Sequence, residues 1–450
     1  MPVDPTSQTS HAYLILVILA LSPCTSQAAG FAIKDQSSLA LGNAFAGATA
    51  GAENVSYMFF NPAGLTRHEG YHLDLDASFV APKATFKDGA GSTVLGGSIG
   101  GRKNQGDVAE NGLVPSIYAM FPIGNSWRAG IGLNAPFGQT TDYDADWVGR
   151  YHALRSELST ININPALAFR VNSFLSIGAG AQIQYIEAEL TNAIDFGTIG
   201  AAAGLPGAMP SAQDGKASVR GDDWSFGYNL GLLLTPRPGT RLGLAYRSKI
   251  DHELRGEATF EFDQAGNGDR LAAATGRFVD TGASADASLP ETLSLGVYHE
   301  LNASWAVMSE LAWTSWSNFD ELRISFDNQS EPDNVTEQGY RDSFFAALGV
   351  TWRANEVWSL RGGVAYDQGA TNDRLRTPRL PGGDRYWLST GVDFRPSRWF
   401  ELSAGLTRIF VEEGTIDLST DGVDNQFRGN LSGEIDSDVY VGSISVTLHY

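Results

Sequence analysis

From Tyr71 onward, large apolar and small polar residues alternate with a period of two, and no apolar run approaches the ~20 residues a membrane helix needs. Side chains alternate faces on a strand but recur every 3.6 residues on a helix, so this pattern admits only strands. Leu175, Ile177, Ala179, Ala181, Ile183 and Tyr185 share one face, opposite Ser176, Gly178, Gly180, Gln182 and Gln184. Trp358, Leu360, Val364 and Tyr366 likewise oppose Ser359, Arg361 and Asp367, which turns Arg361 to the polar side. The last residues keep the rule, with Tyr440, Ile444, Val446, Leu448 and Tyr450 against Ser443, Ser445, Thr447 and His449.

The connections decide what these strands build. Tight turns centre on Pro122-Ile123-Gly124-Asn125, Val171-Asn172, Pro236-Arg237-Pro238-Gly239, Leu301-Asn302, Arg353-Ala354-Asn355 and Pro396-Ser397. Between them lie long polar or glycine-rich segments near 88–111, 138–156, 191–221, 262–288, 327–341, 368–384 and 411–435. Six short and seven long connections in alternation predict an all-β fold, a fourteen-stranded antiparallel transmembrane β-barrel with short periplasmic turns and long extracellular loops. Its last strand is expected to pair with the first near Tyr71, because lipid offers an open edge no hydrogen-bond partners. Trp127, Trp224, Trp305, Trp313, Trp352, Trp358, Trp387 and Trp399 are expected in interfacial girdles. Pro165, which lacks an amide proton, predicts a bulge or an interrupted pair within its strand.

The region before the barrel divides in two. Residues 12–21 form an apolar core followed by Ser26-Gln27-Ala28, which reads as a cleaved signal peptide over 1–28 and places the protein in the bacterial outer membrane. Cleavage would remove Cys24, the only cysteine, and with it any disulfide or thiolate metal site. Residues 29–70 abandon the period and are rich in Gly, Ala, Ser and Asn around Asn61-Pro62-Ala63-Gly64. Their apolar residues, among them Phe31, Leu39, Phe45 and Met58, predict a plug inside the lumen of the 71–450 barrel, since disordered tails are apolar-poor.

Thirty-one basic against 51 acidic residues argue against a nucleic-acid partner. The acidic runs 327–337 and 412–424 lack calcium-loop spacing, and the seven histidines include no His-Glu-x-x-His, so neither metal nor cofactor is expected. Gly96-Gly97-Ser98-Ile99-Gly100 matches Gly-x-Ser-x-Gly formally, but sits in a glycine-rich loop without a strand-to-helix elbow, so the expectation is a non-enzyme.

With Ala29-Gly30-Phe31, Asn61-Pro62-Ala63, Asp146-Trp147-Val148-Gly149-Arg150-Tyr151 and Ile161-Asn162-Ile163-Asn164-Pro165 in order, the chain resembles the FadL-type outer-membrane transporters of long-chain fatty acids and other hydrophobic compounds. Asp320-Glu321-Leu322-Arg323, Arg376-Thr377-Pro378-Arg379 and Asp384-Arg385-Tyr386-Trp387 extend the likeness. The resemblance implies a monomer closed by an N-terminal hatch. Its partners would be a fatty acid or hydrophobic small molecule, outer-membrane lipid and, during biogenesis, the barrel-assembly machinery. It implies capture in an apolar groove between the third and fourth extracellular loops, here Ile194, Phe196, Ile199, Leu205 and Met209 with Leu271, Phe278 and Val279. Transfer to an inner site contacted by Phe31 would follow, then lateral release through a third strand (126–137) kinked at Ala135-Pro136-Phe137-Gly138. A fatty-acid carboxylate would call on a lumenal cation, with Arg150, Arg155, Arg361 and Arg385 as candidates, whereas neutral aromatic hydrocarbons taking the same route would need none. A porin or a lipid hydrolase are the competing classes.

Overall fold

The computed structural model describes residues 30–421 and 427–450; the expected signal peptide, Cys24 and Ala29 lie outside them. Fourteen antiparallel strands form a closed wall. In chain order they are β1 (His72–Ser92), β2 (Gly112–Ile123), β3 (Trp127–Asn134, resuming as Gly138–Asp142), β4 (Arg155–Arg170), β5 (Leu175–Asp195) and β6 (Asp214–Arg237). Then come β7 (Thr240–Arg247 and Ile250–Glu261), β8 (Thr281–Leu289 and Thr292–Glu300), β9 (Trp305–Thr314 and Glu321–Phe326) and β10 (Ser343–Arg353). The ring ends with β11 (Trp358–Asp367), β12 (Arg385–Ser397), β13 (Phe400–Val411) and β14 (Asn430–His449). β14 pairs with β1 from His72↔His449 to Ser92↔Asn430, and Tyr71 and Tyr450 exchange both backbone hydrogen bonds at 2.8 Å. The seam between the first and last strands is thus closed to lipid.

Polarity is inverted relative to a water-soluble protein. Leu348, Leu388 and Leu406 are 64%, 57% and 65% exposed, while Asp74, Asn162 and Gln184 are wholly buried. Such a surface is stable only where the surrounding solvent is hydrocarbon. Trp127–Phe169, Trp305–Trp352 and Trp358–Phe394 pair at the turn end, and Tyr185–Trp224 and Tyr366–Tyr386 nearer the loops. Trp387 is a correction. It points inward against Phe45 and Phe345, because Arg385, Trp387 and Ser389 share the lumenal face of β12. At Pro165 the β4–β5 pairing skips from Ile163↔Ile183 to Ala166↔Gly180, and Asn164 Nδ2 donates to Ala181 O at 2.6 Å in its place.

The strands also outrun the bilayer. Residues 138–142, 191–195, 214–221, 281–288 and 430–435, expected as loop, are strand. β5 and β6 stay paired from Leu175↔Leu234 to Asp195↔Asp214, roughly 50 Å of height at ordinary tilt and about twice the apolar band. Above the membrane both faces are wet, so the hydrophobic period vanishes while the backbone ladder continues.

Residues 30–70 fold inside the lumen as four short helical turns, Ser38–Leu41, Ala48–Gly51, Val55–Phe59 and Pro62–Arg67. Their polar composition serves capping: Ser37, Asn54 and Asn61 accept from the amides of Ala40, Ser56 and Ala63. Pro62 occupies the first helical position, where its missing donor costs nothing. Asn61 Nδ2 also donates to Thr49 O at 2.7 Å and to the wall at Leu232 O, 3.1 Å. Gly231 permits this approach, since a Cβ there would lie 2.0 Å from Asn61 Oδ1.

One ion pair network ties this hatch to the wall. Arg361 donates to Glu53 of the hatch at 2.8 Å, to Asp393 of β12 at 2.7 Å and to Asn43 Oδ1 at 2.8 Å. Burial pushes the Glu53 carboxyl up, but the Arg361 guanidinium more than offsets it, so the group lies below its usual range.

Candidate ligand cavity and gate

Along β5 the lumenal positions change character. Ser176, Gln182 and Gln184 give way to Ile186, Ala188 and Leu190, and these last three line a cavity of about 110 Å³ above the hatch. Val219, Leu254, Ala285, Phe319, Ile324 and Leu380 complete its apolar wall, contributed by β6, β7, β8, the β9 connection and a strap from the loop between β11 and β12. Its volume is of the order of an apolar cavity that takes a benzene ring, ~150 Å³. The switch from polar to apolar on one strand face is the sequence signal for this cavity.

Phe31 closes one side. Its ring packs on Trp316 at 4.9 Å, Phe319 at 5.6 Å and Phe137 at 6.0 Å between centroids. Its backbone is equally engaged. Gly138 N donates to Phe31 O at 3.0 Å and Ile33 N donates to Pro136 O at 2.8 Å, so Ala32 faces Phe137 as an added antiparallel bridge. Gln36 continues the contact, donating to Ala135 O at 2.7 Å and accepting from Ala135 N and Ser116 Oγ.

The third strand breaks over 135–137 and resumes at Gly138, so the kink is Ala135-Pro136-Phe137 and Gly138 belongs to the strand beyond it. β2 pairs with β3 only from Ile117↔Leu133 to Ile123↔Trp127; above this level the hatch's first residues contact the third strand at its kink. Proline explains the break, because it brings no amide to the ladder. Phe137 instead exchanges hydrogen bonds with the Thr160 hydroxyl, at 2.9 and 2.7 Å.

The four candidate arginines are all matched elsewhere. Arg150 lies in an extracellular connection, 2.6 Å from Asp214 and bonded to the Tyr151 hydroxyl. Arg155 faces outward between Glu110 and Glu157, each at 2.7 Å, so neither of these two is lumenal. Arg361 holds the hatch, and Arg385 is buried 3.6 Å from Asp367. Sequence order carries no record of such partners. Two other arginines line the cavity, Arg220, which pairs with Glu187, and Arg379, which sequence reasoning placed only in a motif. It donates to Ser156 Oγ at 2.8 Å, to the carbonyls of Arg155 and Thr191 at 3.2 and 3.1 Å, and to Asn192 Oδ1. Burial, reinforced by the charge of Arg428, pulls its pKa down to about 9. An arginine flanked by Pro378 and Leu380 in a polar loop was the available clue.

In the extracellular loops, Phe196, Leu271 and Phe278 form a buried cluster with Ile194, Ile199 and Leu205, the Phe196 and Phe278 rings 5.1 Å apart. Met209 and Val279 stay outside it, 56% and 50% exposed. The helices Phe196–Ala202 and Asn267–Thr275 carry part of this cluster, the first capped by Asp195. Ser98 sits in a β-bridge with Ser92, not in an elbow before a helix.

His152, in the connection before β4, is buried with its Nε2 3.1 Å from Gly429 O, and burial lowers its pKa to about 3. The unfolded group titrates at 6.5, so acidification below 6.5 destabilises this loop packing by about 1.4 kcal/mol per pH unit until about pH 3, with no effect above 6.5. Hydrogen exchange of the 143–154 segment at pH 7.5 and 5 checks this: faster exchange beyond the intrinsic pH effect is expected at pH 5 and absent in His152→Gln.

The description "Outer membrane protein transport protein (OMPP1/FadL/TodX)" covers the family whose model matches residues 19–450. The chain is 28% identical to the long-chain fatty acid transport protein of Escherichia coli O6:H1, over 93% of this chain and 92% of that one. It is 25% identical to outer membrane protein P1 of Haemophilus influenzae, over 97% and 98%. The crystal structure of a Pseudomonas aeruginosa FadL homologue superposes with a TM-score of 0.85 at 25% identity, covering 94% of this chain and all of that one. With its closed fourteen-stranded wall and hatch, the chain belongs to the OMPP1/FadL/TodX family, outer-membrane barrels that transport hydrophobic compounds and are not enzymes.

Proposed function

We propose that this protein imports long-chain fatty acids, holding them in the apolar cavity beside Phe31 and releasing them sideways into the membrane at the kinked third strand. The observation that carries the reading is the double engagement of Phe31, whose ring lines the cavity and whose carbonyl is bonded to Gly138 at the kink. A ligand that displaces the ring therefore loosens the backbone bridge that fills the break. Each buried methylene stabilises binding by about 0.8 kcal/mol. Exit into hydrocarbon retains that gain, whereas exit into the periplasm forfeits it. Capture belongs to the loop cluster around Phe196 and Phe278, with Met209 and Val279 at its accessible edge. A second reading, uptake of neutral aromatic hydrocarbons by the same route, is favoured by the small, almost wholly apolar cavity.

The gate is testable by a reversible lock. Ala32 and Phe137 face each other between flanking hydrogen bonds, the pairing with Cα atoms ~4.5 Å apart, within disulfide range. The Ala32→Cys/Phe137→Cys pair is expected to cut oleate uptake about tenfold or more when oxidised and to restore it on reduction. Undiminished uptake by the oxidised pair would sink the lateral route.

A further inference from the structure

Two features lie outside the cavity, the kink and the latch. His68-Glu69-Gly70-Tyr71-His72 does spell His-Glu-x-x-His, contrary to the sequence reading, but it spans a turn at Gly70 instead of one helix face, and no three metal-type ligands converge there among the described residues. The other feature is a hole in the wall. Pairing of β6 with β7 runs as far as Asn229↔Arg247 and resumes at Asp222↔Arg255. Ser248 N donates to Tyr228 O at 2.9 Å, and above that bond 223–227 face 249–254 with no paired residue. Side chains cross the hole in place of the ladder. The Ser225 hydroxyl donates to Asp251 O at 2.6 Å, and Asp223 Oδ2 meets His252 Nδ1 at 3.0 Å and accepts from Glu253 N at 3.4 Å.

The neighbouring strands break at the same height. Arg247, Thr292 and Thr314 lie in one row, and beyond it β7 breaks at Ser248-Lys249, β8 at Pro290-Glu291 and β9 after Thr314. Outside lies a notch of about 540 Å³, bordered by Tyr228, Tyr246, Lys249, Asp251, Glu291 and Asn318. Inside, Leu254 at the upper end of the hole lines the cavity, and Leu289, paired with Ile250, belongs to the apolar cluster around Phe31. One turn separates the two spaces, since Asn318 lines the notch and Phe319 the cavity. The hole is level with the kink: Thr160, which holds Phe137, pairs with Ile186, and Ile186 pairs with Asp223.

A seam of side-chain bonds parts without unzipping any backbone pair. We propose that this hole is a second lateral window, between β6 and β7, through which the cavity passes uncharged hydrophobic compounds to the membrane independently of the kinked third strand. This rests on the reading that the cavity holds the cargo. The edge of the window selects by charge, because the carboxylates of Asp223, Asp251 and Glu291 outnumber the ammonium of Lys249 and oppose a cargo carboxylate but not a hydrocarbon. Phe31 serves both openings. Its ring packs on Trp316 and Phe319 of the partition and its carbonyl is bonded to Gly138 at the kink, so a ligand that displaces it loosens both.

Uptake of labelled oleate and labelled naphthalene, each corrected for cells lacking the protein, separates the two openings. With the Ala32→Cys/Phe137→Cys lock oxidised, oleate uptake is expected to fall about tenfold or more and naphthalene uptake less than about twofold. Adding Ser225→Cys/Asp251→Cys, oxidised across the hole, is expected to cut naphthalene uptake about tenfold, with recovery on reduction. The chain beyond residue 28 has no cysteine of its own, so loss of free thiols reports both bridges. Equal loss of both cargoes under the kink lock alone would overturn the window, and this arm needs no change near the hole. Naphthalene uptake unaltered by the second bridge would overturn it too. Leu254→Trp, which fills the cavity, tests the underlying reading with every bridge absent: loss of both cargoes supports it, and unchanged uptake of both shows that cargo is held elsewhere and removes the basis of the window.

Discussion

Arg361→Ala is expected to unlatch the hatch and convert a quiet barrel into one that conducts ions. The guanidinium holds Glu53 on the hatch and Asp393 on the wall, both largely buried, so its loss leaves two carboxylates facing each other without a counter-charge. Breaking a buried pair by removing one partner costs about 3–5 kcal/mol. The backbone ladder between β11 and β12 does not depend on this side chain, so the barrel is expected to assemble and only the hatch to loosen. Planar-bilayer recordings check it, with few openings for the unmodified protein and frequent large ones for the variant. A steady large current through the unmodified protein would contradict a closed hatch and favour a porin. The triple variant Arg361→Met/Glu53→Gln/Asp393→Asn removes the charges together and is expected to recover most of the closure. The Glu53 carboxyl titrates below its usual 4.5, so the latch is fully engaged at neutral pH and is lost only as pH falls below that value.

Phe31→Ala carries the other large effect. Truncating a buried phenylalanine costs about 3–5 kcal/mol, and this ring contacts Trp316, Phe319 and Phe137 at once. The cavity would lose its wall towards the hatch, and the backbone bridge at the kink would lose the packing that holds it. Oleate affinity is expected to fall about a hundredfold, which is 2.7 kcal/mol of the packing lost, and uptake to fall close to background. Phe31→Leu should retain much of both. Equilibrium binding of labelled oleate to the purified protein, beside uptake by cells, checks both. Uptake and affinity in Phe31→Ala equal to those of the unmodified protein would defeat the proposed inner site.

These predictions draw on features of unequal visibility in the chain. Arg361 was legible as lumenal because Leu360 and Val364 on either side obey the lipid-facing period, but Glu53, more than 300 residues away, was not legible as its partner. The kink was legible because proline cannot complete a ladder. That the hatch's own first residues fill the break was not, since Ile33 and Gln36 bear no mark of their contact with Pro136 and Ala135. Trp387 was misplaced for a related reason. Tryptophan suits both an interface and a packed lumen, and only the parity of β12 against Phe45 separates them.

Strand number, ring closure, orientation of the two faces and the existence of a plug follow from the chain alone. They depend on local alternation, turn chemistry and the refusal of lipid to solvate a peptide group, all of which are written residue by residue. The cavity, the Arg361 latch and the partners of each buried arginine were decided by tertiary structure. A barrel of fourteen strands brings residues from every part of the chain to one axis, and whether an arginine there meets a carboxylate or only neutral acceptors depends on neighbours hundreds of positions away. That is why Arg150, Arg155, Arg361 and Arg385 are all matched by acids of this chain, while the hydrogen-bond acceptors of Arg379 are Ser156, Asn192 and two backbone carbonyls.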